Sequence, residues 1–189
     1  MLRFHQVLFT VSVLALCWLA MMAVHELGHV IGAVVTGGSV QRIVLLPLTI
    51  SRTDVQPNPH PAVVVWLGPV VGCLLPLIVM LIVPQRLAAL RNVARFFAGF
   101  CLIANGAYIA FGSLDQVGDS GEMFRTGTPQ WAMLIFGGMT VPLGLYLWHR
   151  LGSLGEFIRN PRVVKPSMAY VAFGVLLGAV IAEFALSPK

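Results

Sequence analysis

Apolar residues run along this chain in long, nearly unbroken stretches, with the polar residues gathered between them, rather than at the alternating or 3.6-residue spacing of half-buried elements. A helix needs roughly 20 mostly apolar residues to cross about 30 Å of hydrocarbon. Five stretches are long enough: about Phe4 to Val35, Pro61 to Val83, Val93 to Gly112, Trp131 to Trp148 and Met168 to Leu186. The first is bounded by Thr36-Gly37-Gly38, a C-terminal stop, and the second opens at the Pro57 to Pro61 cluster and closes at Pro84. At about 32 residues the first is nearly 50 Å long, so it must tilt or protrude. Trp131, Tyr146 and Trp148 sit where interfacial anchors belong. Between the first two spans, Val40 to Val55 is rich in β-branched residues and broken by Pro47, which predicts a short hairpin at the membrane face. Residues 149–166 set Arg150, Arg159, Arg162 and Lys165 around Leu154, Phe157 and Ile158, a pattern that fits a helix lying in the interface or a solvated loop.

Composition agrees with a membrane protein. Of 189 residues, 58% are hydrophobic and only 10% charged, and the mean hydropathy is +0.87. That leaves too little polar side chain to cover a soluble globule, and it excludes a cytosolic enzyme, a disordered tail and a disulfide scaffold. The net charge of +5 does not point to nucleic acid, because the twelve Lys and Arg are scattered between apolar runs instead of forming a patch. Cys17, Cys73 and Cys101 each lie inside an apolar run and read as small buried hydrophobes. Arg3 followed by a long apolar run resembles a secretory signal, but the run continues past Ala23, so no cleavage is expected. The fold class is therefore an all-α polytopic membrane protein of five spans with a small membrane-associated hairpin, multi-pass in a cell inner or plasma membrane. Residues 1–128 form the expected core and 129–189 add two spans with their connector. Eight of the twelve basic residues fall on the N-terminal side, which favours a cytoplasmic N-terminus.

The chemistry lies in the first span. His25, Glu26 and His29 form HELGH, an H-E-x-x-H pattern, where a charged group costs about 3 kcal/mol or more. On a helix the i, i+4 spacing puts both imidazoles on one face, able to bind one Zn²⁺, with Glu26 directed at the water the metal holds. Zinc would activate that water, and the carboxylate would move its proton to a leaving amine, as a peptidase requires. Two core histidines bound to backbone are the plain alternative. Gly28 and Gly32 fit a close helix contact. A third ligand is needed. Asp119 in SLDQVGDSGEM, flanked by Gly118 and Gly121, is the first candidate, and Asp115 is the next. Asp119 with Glu122 also fits a capping box opening a short helix. Asn105, polar inside the third span, is expected to bind a substrate backbone or to tie two helices together.

HELGH in a membrane helix, Gly68 to Gly72 (GPVVG) opening the next, then an Asn-bearing helix followed by an Asp motif, resembles the site-2 protease family of intramembrane zinc metalloproteases. The resemblance covers roughly residues 20–125. It implies a three-helix core, zinc held by His25, His29 and an Asp, and Glu26 as general base. It also implies that the 40–55 segment pairs with a membrane-protein substrate presented as an extended strand. The family's Asn-x-x-Pro…Asp-Gly pattern is not kept, since Gly106-Ala107-Tyr108 follows Asn105 and Ser120-Gly121 follows Asp119. It further implies a site nearer the cytoplasmic face, opposite to the loop-charge reading. A non-catalytic relative that binds membrane helices, and a transporter passing metal ions or protons through His25, Glu26 and His29, are the competing functions.

Overall fold

The computed structural model describes residues 2–47, 50–152, 160 and 164–186. Among the described residues, six helices and two strands follow one another: α1 (Leu2–Val35), β1 (Val40–Val44), β2 (Arg52–Val55), α2 (Pro61–Ile82), α3 (Ala88–Asp115), α4 (Gly118–Arg125), α5 (Gln130–His149) and α6 (Pro166–Leu186). All but the eight-residue α4 are long and apolar enough to cross a membrane, which makes five candidate spans. The expected five-span architecture is borne out. The connector read as an interfacial helix or a solvated loop falls mostly on 153–159 and 161–163, outside the described residues.

Local chemistry sets the boundaries. Gly37, at φ 76°, supplies the left-handed residue that ends α1. There the Gly38 N–H returns to the Ala33 carbonyl at 2.7 Å and the Gly37 N–H to Val34 at 3.3 Å, the paired bonds of a glycine-terminated helix. Pro61 stands in the first turn of α2, where its missing N–H costs nothing. The third span starts earlier than its apolar run suggested, at Ala88 instead of Val93, because Arg91 and Arg95 are strong helix formers that continue the helix beyond the apolar run.

β1 and β2 pair antiparallel, with Val40 opposite Val55, Ile43 opposite Thr53 and Val44 opposite Arg52, as the hairpin reading expected. Small residues bring the spans together. Any Cβ on Gly28 would strike the Leu67 carbonyl of α2, and one on Gly32 would lie 2.9 Å from the Val64 Cα, so α1 and α2 touch backbone to backbone. Along the α3–α5 contact, Gly144 stands against the Gly99 carbonyl and Trp148 fills the space over Gly99. Trp148 is half-buried there: its indole donates to the Phe96 carbonyl at 2.9 Å and its ring stacks on Phe96. Trp131 and Tyr146 do remain exposed. The three cysteines are free and buried. α6 lies along α1, with Leu176, Ala179 and Val180 against Leu19, Met21 and Met22.

Candidate metal centre

Four elements meet at the end of α1 that carries HELGH. His25, Glu26 and His29 are 7%, 4% and 7% exposed, so all three are held inside the bundle despite their polarity. The i, i+4 spacing brings the two Nε2 atoms to 3.1 Å. Asp119 completes the group: its Oδ2 is 2.7 Å from His25 Nε2 and 3.4 Å from His29 Nε2. Asp115, the other candidate, is an exposed residue at the end of α3 and takes no part.

Several contacts pin Asp119. α3 ends at Gln116, in the left-handed region at φ 55°, and Gly118, also left-handed at 56°, begins α4 directly. The Ser120 hydroxyl donates to the Ile109 carbonyl at 3.0 Å, and Met123 packs into a cluster with Val65, Ile109 and Met133. The Tyr108 hydroxyl accepts the Asp119 N–H at 3.1 Å, and a Cβ on Gly118 would collide with that hydroxyl. The capping-box reading is not realised, because Val117 occupies the N-cap and no side chain caps the helix. Burial alone would push the Asp119 carboxyl up. When the His25 and His29 rings are protonated, hydrogen bonds from them and their positive charge outweigh burial and hold it well below the usual carboxylate range.

The outer ring nitrogens decide which way the lone pairs point. His29 Nδ1 lies 2.9 Å from the Val64 carbonyl, which can only accept, so Nδ1 carries the hydrogen. His25 Nδ1 lies 2.6 Å from Asn105 Oδ1, and Asn105 Nδ2 donates to the Cys101 carbonyl at 2.9 Å, which leaves Oδ1 as the acceptor. Both neutral rings therefore turn an unprotonated Nε2 toward the other and toward a carboxylate. Such a triangle of lone pairs repels itself unless a positive charge, a proton or a cation, stands between them. Ligands about 2.1 Å from a tetrahedral ion stand about 3.4 Å apart, against 2.7, 3.1 and 3.4 Å here, so the triangle would open by a few tenths of an ångström to hold one. The donor set therefore suits one metal ion.

Of the two roles expected of Asn105, the structure carries the helix tie. Asn105 is 1% exposed, with its amide shared between His25 and Cys101, so it orients a ring and ties α1 to α3 and does not reach toward a substrate. Asn105→Ala is expected to weaken metal binding about 10- to 100-fold by releasing the His25 ring, measurable by competition with a chelator.

Two features escaped the sequence reading. Gly68 and Gly72, one turn apart on α2, form a cradle: a Cβ on Gly68 would run into the His29 ring, and one on Gly72 would lie 2.8 Å from Asn105 Oδ1. The GPVVG spacing was the signal, read only as part of a resemblance. The second is Thr53 on β2, whose hydroxyl donates to Glu26 Oε2 at 2.7 Å. An open cavity of about 600 Å³ lies in front, lined by Glu26, His29, Thr53, Asp54, Val64 and Asp119 among others.

A buried His-Glu-His helix joined by a distant Asp is the arrangement the site-2 protease resemblance implied. The Peptidase M50B-like family model matches residues 2–108, more than half of the chain. The chain belongs to that family, a site-2 protease family. The match takes in α1, the hairpin, α2 and most of α3, so HELGH and Asn105 fall inside it and Asp119 falls beyond it. Comparison with the curated proteins and with the solved structures returns no match. Five apolar spans and membership of a membrane peptidase family make this a multi-pass membrane protein.

Proposed function

We propose that this protein is an intramembrane zinc metalloprotease that hydrolyses peptide bonds in or near the membrane-spanning segments of other proteins. The observation that carries the reading is the inward-facing triangle of His25 Nε2, His29 Nε2 and Asp119 Oδ2, two imidazoles and a carboxylate, beside a buried glutamate. Three protein ligands with the fourth position open make a catalytic zinc set, not a structural one. When bound there, zinc would lower the pKa of water toward neutrality and polarise a carbonyl.

The chain's own groups supply the rest. Glu26 Oε2 is held by Thr53, which leaves Oε1 to take a proton from the attacking water and give it to the leaving amine. Asn105 and the Val64 carbonyl fix the two rings. β2 lines the cavity along its length, from Arg52 to Val55, while its other edge is paired with β1. An extended substrate segment would add as a third strand there, which exposes peptide bonds that a helical segment hides.

The test is metal content of the purified chain. About one zinc per chain is expected in the wild type and in Asp115→Ala, with loss in His25→Ala, His29→Ala and Asp119→Ala. Full zinc in Asp119→Ala with none in Asp115→Ala would overturn the ligand set, and no metal in the wild type would overturn the mechanism.

A further inference from the structure

Among the described residues, two side-chain hydrogen bonds join the hairpin to α1, one of them to Glu26. The Thr53 hydroxyl donates to Glu26 Oε2 at 2.7 Å, and the Ser51 hydroxyl, just ahead of the strand, donates to Met22 Sδ at 3.4 Å. The spacings match. Residues 51 and 53 are two apart in extended chain, on one face and about 6.7 Å from each other. Met22 and Glu26 are four apart on a helix, on one face and about 6 Å apart along its axis. A strand laid along a helix therefore repeats its contact once, at both positions, in a single register.

Of the one-residue slips of β2, one would set the Asp54 carboxylate against Glu26 and the other would set Arg52 there, so neither keeps the hydroxyl contact. In the observed register those two residues pair with each other at 3.4 Å, away from the contact. Thr53 itself suits the task, because a β-branched residue favours the strand and has few rotamers to choose from, so its hydroxyl is held in direction.

We propose that Thr53 is a positioning residue for Glu26, and that the Ser51/Thr53 pair makes the hairpin the seat of the general base. This rests on the proteolytic reading and extends it. The strand that lines the cavity where an extended substrate would lie is the strand that holds the carboxylate. Ordering of β2 by an added strand would then also order Glu26.

The experiment uses the full chain, zinc-loaded in detergent micelles, with two readouts. The first is cleavage of a single-span model polypeptide whose span is interrupted by a Gly-Pro pair. Thr53→Val is expected to lower kcat roughly tenfold to hundredfold, the range for a hydrogen bond to a charged group, with KM changed by less than about twofold and zinc content unchanged. Thr53→Ser, which keeps the hydroxyl, is expected to recover most of kcat. The second readout is the infrared carboxylate stretch of Glu26, isolated as the difference between wild type and Glu26→Gln, which is expected to shift in Thr53→Val and return in Thr53→Ser. A Glu26 band unmoved in Thr53→Val overturns the proposal, as does wild-type kcat in that variant or a loss that Thr53→Ser does not restore. Because the infrared signature needs no turnover, a shifted band in a chain that cleaves nothing supports the positioning role and counts against proteolysis instead.

Discussion

Glu26→Gln is expected to keep its zinc and lose cleavage, by roughly 10²- to 10⁴-fold, the usual contribution of a positioned general base. The substitution is close to isosteric and the glutamine carbonyl can still accept the Thr53 hydrogen bond, so the hairpin contact and the fold should survive. Only the ability to take and return a proton is removed. Neither histidine uses Glu26 as its partner, since their outer nitrogens are spent on Asn105 and Val64, so the metal ligands should not move. Metal content and cleavage of a single-span reporter, measured on one preparation, check both halves. Wild-type cleavage in Glu26→Gln would falsify the mechanism.

Gly68→Ala is expected to have the next largest effect, although Gly68 carries no chemistry of its own. The added methyl would occupy the space of the His29 ring. That ring cannot retreat freely, because its Nδ1 is tied to the Val64 carbonyl one turn earlier on the same helix. Overpacking at such a site costs about 1–3 kcal/mol of stability, and displacing a ligand ring weakens metal binding at least about 10-fold. Gly138→Ala is the control: a Cβ at that exposed α5 position meets nothing within 4 Å, so a small gain in helix stability of about 0.8 kcal/mol is expected there. Thermal unfolding in detergent and chelator competition on the two variants separate the cradle from a general intolerance of alanine. Equal behaviour would remove the cradle from the argument.

The spans were legible because the bilayer imposes a length and a composition that few other environments demand, and five apolar runs met both. HELGH was legible because three ionisable groups inside an apolar run call for a compensating partner. Asp119 could be narrowed to a loop but not separated from Asp115 by pattern alone, since the choice depends on how α4 turns after Gln116. Asn105 was noticed as a costly polar residue with two roles left open, a substrate backbone or a helix tie, because the partner that decides between them lies 80 positions away on α1. Thr53 carried no local signal of this kind, and the Gly68/Gly72 spacing pointed only to a resemblance. A threonine in a strand and a glycine in a membrane helix are ordinary, and their roles exist only once another helix supplies the carboxylate or the ring.

His25 and Asp119 are separated by 94 positions in the chain. Synthesis runs from the N-terminus, so the two imidazoles are made and inserted long before the carboxylate that joins them. On the proposed reading, a nascent or truncated chain that stops short of α4 has two ligands where three are needed, and cannot cut its neighbours at the site of insertion. If the proposed activity holds, the order of the residues delays hydrolysis until the bundle around the blade is closed.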